Sequence, residues 1–229
     1  MAVLKRVGFV GIGRMGYPMA GHIVEAGFDV TVSDMDKEPV DRFVENYNAN
    51  SAENLTALSR DVDVIITMLP TSKIVREVVL GDGKGDCLHR GLTRGQILID
   101  ASTSNPITTQ EIGKELEKDG IEMIDAPVAG GVVFAVNGTL DVMVGGNQET
   151  INRCKPLFEA IGGNTVYCGS LGSGHAVKVL NNFVNASTLI SLIEALVLGC
   201  KFGLDINMMV ESMMAATTGR NHPIQKKTN

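Results

Sequence analysis

A glycine-rich turn between two short apolar runs constrains this chain more than any other stretch. Residues 5–10 (KRVGFV) are typical of a buried parallel strand, GIGRMG follows at 11–16, and a predicted helix then closes at Gly27. A second strand, Phe28 to Ser33, ends at Asp34. The spacing G-x-G-x-x-G alone is weak, because a chain with 26 glycines produces it by chance and a tight structural turn also explains it. Between a strand and a helix, with an acid after the next strand, it predicts a dinucleotide-binding unit.

Each glycine of this turn has a physical role in that interpretation. Gly11 permits the tight turn, Gly13 lets the backbone approach a pyrophosphate, and Gly16 lets the helix pack close to the strand. The phosphates then bind at the positive N-terminus of the helix. The cofactor-binding residues predicted in the turn are Gly11, Ile12, Gly13, Arg14, Met15 and Gly16.

Asp34 is predicted to determine whether NAD or NADP binds more tightly. Its carboxylate can accept hydrogen bonds from a ribose 2′-hydroxyl, whereas a 2′-phosphate would meet its negative charge. No arginine adjoins it in the sequence, so NAD is favoured over NADP. The alternative is a turn or helix-cap residue, since Asp36 and Lys37 follow.

Strand and helix patterns then alternate, which predicts an α/β fold with a Rossmann-type, doubly wound, mostly parallel sheet. The predicted strands are 63–69, 96–99, 121–124, 140–144 and 165–168. One predicted helix starts near Lys73, a second starts within 102–106 and ends near Asp119, and a third runs from Gln148 to Ile161. Ligands bind beyond the carboxyl ends of such strands, where Pro70, Ser102, Thr103 and residues 129–131 fall. Asp100, Asp125 and Asp141 are expected to cap helices or to hydrogen-bond the backbone at strand ends.

The stretch from Gly172 to Gly203 predicts a helix on the order of 45 Å long. From Phe183 to Cys200 it is apolar on nearly every face, which is typical of burial on all sides. A membrane span is the rival interpretation, but polar residues such as Asn185 and Glu194 disfavour it. The predicted organisation is an NAD-binding domain at 1–170, then a long interdomain helix and the start of an all-α C-terminal domain at 171–229. One short helix, Asp205 to Thr217, cannot cover so long an apolar surface, so we expect further sequence or a second subunit to cover it.

Composition excludes several other classes of protein. The formal net charge is −6 and no block of lysine or arginine stands out, which disfavours a nucleic-acid surface. The four cysteines are scattered without a CxxC pair, and no histidines have metal-ligand spacing, so we predict no metal site and reduced thiols in the cytoplasm. The apolar run after Lys5 and Arg6 is too short and glycine-broken for a signal peptide.

Five motifs in order resemble the β-hydroxyacid dehydrogenases, the group of 3-hydroxyisobutyrate dehydrogenase and tartronate semialdehyde reductase. They are GFVGIGRMG, ITMLPTS at 66–72, DASTSNP at 100–106, DAPVAGG at 125–131 and GSGHAVKVLNN at 172–182. The resemblance continues through GLDINMM and TTGRN near the end. It implies an NAD-dependent oxidoreductase that transfers a hydride between nicotinamide and a small 3-hydroxy acid, working as a homodimer or homotetramer.

The resemblance also implies roles for individual residues. Thr103 would lie near the nicotinamide, and Ser102 beside a small carboxylate substrate. Gly130 and Gly131 would donate backbone N–H groups to the substrate carboxylate. Further cofactor contacts would come from Met68, Leu69 and Pro70.

Lys178 resembles the family's catalytic lysine, and Asn182, one helical turn later, its partner. A lysine can donate a proton as ammonium and accept one as amine, provided its surroundings disfavour the charge. A solvated helix lysine is the alternative for Lys178, and Asn181 is the alternative to Asn182. His175 is interpreted as structural, with tuning of the nearby Lys178 as the alternative.

Two departures from the family leave a second function open. The family usually has a serine where this chain has Ala129, so one hydroxyl donor to the substrate is missing. The chain also ends at Asn229, several helices before the family's C-terminal domain does. The alternative is a non-catalytic dinucleotide-binding or scaffold homologue.

Overall fold

The computed structural model describes residues 4–83 and 85–215. Within those ranges, nine strands form one sheet. The strands are β1 (Arg6–Val10), β2 (Asp29–Ser33), β3 (Asn50–Ser51), β4 (Val64–Thr67), β5 (Ile97–Asp100), β6 (Glu122–Asp125), β7 (Val128–Ala129), β8 (Leu140–Gly145) and β9 (Gly162–Gly169).

Helices connect most of these strands, together with one short 3-10 helix at Leu88–Arg90. The helices are α1 (Gly16–Glu25), α2 (Lys37–Tyr47), α3 (Leu55–Arg60), α4 (Ser72–Leu80), α5 (Pro106–Glu117), α6 (Val132–Val136), α7 (Gln148–Ile161), α8 (Ser173–Phe202) and α9 (Ile206–Ala215).

The strand order β3-β2-β1-β4-β5-β6-β8-β7 confirms the predicted fold class. Strands β1 to β6 pair in parallel, and the order reverses between β1 and β4, the switch point at which doubly wound sheets bind ligands. Beyond β6 the pattern changes, because β8 runs antiparallel to β6 and β7 while β9 pairs with it in parallel. The helical region that follows β9 was also predicted.

The central strands form because both of their faces are buried. All four residues of β4 and all four of β5 are buried, the pattern of a sheet covered by helices on two sides. Val64 and Ile66 belong to a core shared with α1, α2 and α7, whereas Ile65 packs into a second core with α3, α4 and α5. Two cores on opposite faces explain why the apolar runs of these strands do not alternate.

Capping side chains define where the helices begin. Thr71 accepts a hydrogen bond from the N–H of Ile74, so it caps α4, the helix predicted to start near Lys73. Asn105 caps α5, and Pro106 occupies its first turn, where no backbone N–H is needed. The predicted helix from Gln148 to Ile161 is confirmed with the same ends.

Two parts of the chain contain elements that the sequence patterns did not predict. The segment between β2 and β4 forms α2, β3 and α3, although Phe43 is the one buried residue of α2. Five residues after Gly131 form α6, a helix with an apolar and largely exposed sequence. In α2, Val40, Phe43, Val44 and Tyr47 follow helical spacing, a signal that the sequence analysis missed. The other segments are too short for periodicity to separate them from loops.

Internal contacts divide the chain into residues 1–179 and 180–229. The division falls inside α8, which begins in the first unit and ends in the second. The predicted domain boundary after residue 170 stays a prediction.

The second unit contains the rest of α8 and α9. Met209 is buried and packs where Gly199 has no side chain, which joins these two helices. Large apolar residues of α8 remain exposed, among them Phe183 and Leu198. By length and composition α8 is apolar enough to cross a membrane, with a mean hydropathy of 1.8, and none of its most apolar window is buried. A single helix of this kind is weak evidence for a membrane span, because the core helix of a soluble protein meets the same criterion.

We expect the exposed apolar surface of α8 to drive self-association, because water-exposed patches of this kind are covered in stable proteins. Sedimentation at micromolar concentration should therefore give a species larger than a monomer. Leu198→Glu should weaken the association. Ile107→Glu on α5 is the matched control and should not weaken it, since Leu198 and Ile107 are 66% and 65% exposed. A monodisperse monomer that binds no hydrophobic dye would contradict the expectation.

Candidate active site

The glycine loop after β1 has the geometry that a phosphate site requires. Gly11 has φ +92°, and a Cβ there would collide with the carbonyl oxygen of Met68. A Cβ on Gly16 would collide with the carbonyl of Gly11, so α1 approaches the strand closely. Nothing lies within 4 Å of the Cβ position of Gly13, which leaves open space above the loop. The first and third glycines shape the turn, and the second leaves room for a ligand.

Unsatisfied backbone donors occupy that open space. Among the described residues, none accepts a hydrogen bond from the N–H groups of Gly13, Arg14 or Met15. These groups precede the first turn of α1, where a helix presents free donors and partial positive charge. Arg14 is exposed beside them, and Ile12 is buried beneath the loop. The residues present therefore fit a pyrophosphate.

Asp34 lies directly after β2 and is tied to the same loop. Its carboxylate accepts hydrogen bonds from the N–H of Ile12 at 2.8 Å and the N–H of Asp36 at 3.0 Å. Asp36, and not Asp34, caps α2, since its side chain accepts from the N–H of Glu38. Asp34 thus shapes the turn and keeps an anionic side chain at the edge of the loop, where Met35 is fully exposed. Sequence reasoning missed Met35, whose exposed apolar side chain is available to pack against an aromatic ring of a ligand.

The ends of β4 and β5 bring the next predicted residues together. Met68 and Leu69 are partly buried and Pro70 is exposed. Thr103 is exposed, so its hydroxyl is available to a ligand. Ser102, in contrast, is 0% exposed, and its hydroxyl accepts a hydrogen bond from the N–H of Leu69 at 2.9 Å. Its assignment to the substrate stays a prediction, and a direct contact would require this buried hydroxyl to become accessible.

The glycine pair after β7 forms a second exposed loop. Gly130 and Gly131 have φ values of +124° and +81°, a conformation that favours glycine. Ala129 is partly buried and pairs with Asp141 of β8. The side chain of Phe134, half-exposed on α6, lies against Gly130, where a Cβ would collide with it. An apolar wall therefore borders the loop, a feature that sequence reasoning missed because α6 was not predicted.

Lys178 lies in the second turn of α8 and is partly buried. Burial lowers the pKa of its ammonium below the ordinary value, because desolvation disfavours the charged form. The first turn of α8 is fixed at the carboxyl end of β6, where Asp125 accepts hydrogen bonds from the N–H groups of Gly172 and His175. Asn182, four residues after Lys178 on the same helix, is exposed.

The carboxylates at two strand ends hydrogen-bond the backbone as predicted. Asp125 binds the start of α8, and Asp100 accepts from the N–H of Ser102 and the hydroxyls of Thr67 and Ser104. His175 lies between them and donates to the carbonyl of Ser102.

The doubly wound sheet, the open glycine loop and the acid after β2 define a dinucleotide-binding protein of Rossmann type. The family model described as the NAD binding domain of 6-phosphogluconate dehydrogenase matches residues 6–169. Another, described as NAD-binding of NADP-dependent 3-hydroxyisobutyrate dehydrogenase, matches residues 172–229. The chain belongs to the β-hydroxyacid dehydrogenase family.

Three relatives illustrate the similarity. The mitochondrial 3-hydroxyisobutyrate dehydrogenase of Bos taurus is 36% identical over 96% of this chain and 64% of its own length. An NAD-dependent L-serine dehydrogenase of Pseudomonas aeruginosa is 36% identical over 94% of this chain and 71% of its own. The solved structure of Mycobacterium tuberculosis 3-hydroxyisobutyrate dehydrogenase with L-serine has a TM-score of 0.85 and 33% identity, and covers 95% of this chain and 72% of that one.

The chain spans less than two thirds of some relatives, 64% of the bovine protein and 61% of a Dictyostelium discoideum one. The family and its NAD-binding domain are therefore established for this chain, while the relatives' activities belong to longer proteins.

Proposed function

We propose that this chain catalyses NAD-dependent hydride transfer between a small 3-hydroxy acid and the matching semialdehyde. The observation that carries the proposal is Lys178, whose pKa is lowered by burial on a helix anchored beside the strand ends that carry the predicted cofactor and substrate residues. A lysine in such surroundings gives up its proton at a lower pH than an exposed lysine does, which suits it to proton transfer.

The chain's own residues divide the work of the proposed reaction. The N–H groups of residues 13–15 bind the pyrophosphate, and Asp34 accepts from a ribose hydroxyl. Gly130 and Gly131 bind the substrate carboxylate, and the exposed Thr103 borders the nicotinamide. NAD supplies the hydride acceptor when bound, and NADH the donor.

Lys178 handles the proton. In oxidation, its amine accepts the proton of the substrate hydroxyl as the C–H hydride leaves; in reduction, its ammonium returns a proton to the carbonyl oxygen. Asn182 hydrogen-bonds the same oxygen or orients the lysine. The partial burial of Lys178 lowers its pKa and so favours the amine form that oxidation needs.

We further propose that the substrate carries an apolar substituent. Ala129 offers a methyl group where a hydroxyl donor would favour a polar substrate, and Phe134 borders Gly130. Of the two substrate types named for relatives, these apolar surroundings favour 3-hydroxyisobutyrate over L-serine.

The direct test is NADH formation with a panel of 3-hydroxy acids, with a 2-hydroxy acid such as lactate as the negative control. We expect turnover of 3-hydroxyisobutyrate to exceed that of L-serine. NADH binding without turnover of any 3-hydroxy acid would favour the alternative, a non-catalytic dinucleotide-binding protein, for which the missing hydroxyl at Ala129 is the supporting observation. The cytoplasmic location and an assembly of two or four subunits remain proposals.

Ala129→Ser should strengthen binding of carboxylate substrates, because it restores one hydroxyl donor beside the glycine pair. One added hydrogen bond contributes about 1 kcal/mol, roughly a fivefold lower KM. Ala129→Cys is the matched control, since a thiol of similar size donates only weakly. Weaker binding by the serine variant alone would indicate a pocket built around the alanine methyl group.

A further inference from the structure

A buried polar cluster lies beneath the proposed site, formed by Asp100, His175 and Asp125. Their side chains are 0–1% exposed. The imidazole Nε2 lies 3.8 Å from the carboxylate of Asp100, and Nδ1 lies 3.7 Å from that of Asp125. Burying such groups is costly unless every polar atom has a partner, so the arrangement calls for a reason.

The carboxylate of Asp125 is fixed by backbone donors at the start of α8. Asp125, at the end of β6, accepts from the N–H groups of Gly172 and His175, both at 2.7 Å. A Cβ on Gly174 would collide with the carbonyl of Met143 and crowd Asp125, so glycine permits this close approach. Asp125 therefore fixes the first turn of α8.

The ring of His175 makes the second connection. Nε2 lies 3.0 Å from the carbonyl oxygen of Ser102, and Nδ1 lies 2.8 Å from the hydroxyl of Thr109 on α5. Because a carbonyl oxygen only accepts hydrogen bonds, Nε2 carries the proton of this bond. The ring thereby ties α8 to the backbone of Ser102, which immediately precedes the exposed Thr103.

We propose that His175 is a positioning residue: its Nε2–H bond to the Ser102 carbonyl holds the backbone of residues 102–103 in place beside the nicotinamide. The inference rests on the proposed function, which puts Thr103 at the nicotinamide and Lys178 on the same helix as His175. The same side chain thus couples the helix that carries the lysine to the loop that borders the reacting ring.

Two amide variants separate this role from a general structural one. The amide nitrogen of His175→Gln can occupy the Nε2 position and keep the bond to Ser102, whereas that of His175→Asn can occupy only the Nδ1 position near Thr109. Both replacement side chains are neutral, occupy the same buried position and are no larger than histidine. Calorimetry should compare the binding of NADH with that of ADP-ribose, which lacks the nicotinamide.

We expect His175→Asn to weaken NADH binding by about tenfold and ADP-ribose binding by less than about twofold, the effect of one lost hydrogen bond on the nicotinamide side. His175→Gln should bind both ligands nearly as the parent does. Equal weakening of the two ligands in both variants, or no change in NADH binding for His175→Asn, would overturn the proposal.

A measurement on the parent protein covers the case in which the variants do not fold. The ¹⁵N chemical shift of the His175 ring should identify Nε2 as protonated, and an unprotonated Nε2 would overturn the proposal. Failure of the proposed function is a separate result, because absence of turnover with every hydroxy acid leaves the NADH and ADP-ribose comparison intact.

Discussion

Lys178→Ala lowers turnover by about 10²- to 10⁴-fold and changes the dissociation constant for NADH by less than about twofold. In the proposed mechanism the side chain acts on the reacting oxygen and the loop after β1 holds the phosphates, so the variant should lose chemistry without losing cofactor binding. Measured turnover in both directions, with NADH affinity from fluorescence, provides the check. Substantial residual turnover with the cofactor still bound would exclude Lys178 as the proton-transfer residue.

Lys178→Arg is the matched control, because it keeps the positive charge but does not deprotonate in the accessible pH range. It should be as slow as the alanine variant in oxidation. The pH dependence has a defined sign: burial lowers the pKa of Lys178, so oxidation, which needs the amine, should rise with pH at values below those of an exposed lysine. Reduction, which needs the ammonium, should fall as pH rises through the same pKa. A parent profile that matches the arginine variant would contradict the assignment.

Asp34→Asn narrows the preference for NAD over NADP by roughly fivefold to 150-fold, about 1–3 kcal/mol. The substitution removes the charge that repels a 2′-phosphate. The asparagine side-chain oxygen can still accept from the N–H of Ile12, as the Asp34 carboxylate does at 2.8 Å, so the glycine loop should keep its shape. The dissociation constants of NAD and NADP, measured side by side, give the ratio.

Asp34→Ala separates the two functions of this carboxylate. It removes the charge and also leaves the N–H of Ile12 without its acceptor, so binding of both cofactors should weaken. If the parent protein binds NADP more tightly than NAD, the proposed role of Asp34 is wrong. If alanine and asparagine behave alike, the hydrogen bond to the loop contributes nothing measurable.

The sequence predicted the central sheet because its signals are local. Apolar runs such as Val64 to Thr67 must be strands buried on both faces, and the glycines at 11, 13 and 16 fit one kind of turn. Asparagine and threonine caps before α4, α5 and α7 mark helix starts for the same reason, since each cap satisfies its own helix. Local chemistry of this kind is complete within a few residues.

Contacts between distant residues could not be predicted in this way. Nothing near Ser102 in the sequence indicates that its hydroxyl accepts from Leu69 or that its carbonyl meets His175, which is 73 residues away. The same holds for Phe134, which borders Gly130 only because an unpredicted short helix turns it there. These pairings depend on strand order and on where each strand ends.

The sequence by itself thus determined the class of fold, the cofactor loop and the lysine on the long helix. Only the tertiary structure decided that Asp34 holds the loop, that Ser102 is buried and that His175 joins α8 to the loop after β5. The physical reason is range: strand and cap formation are settled by neighbouring residues, whereas a buried hydrogen bond between strand ends exists only once the sheet has brought both partners together.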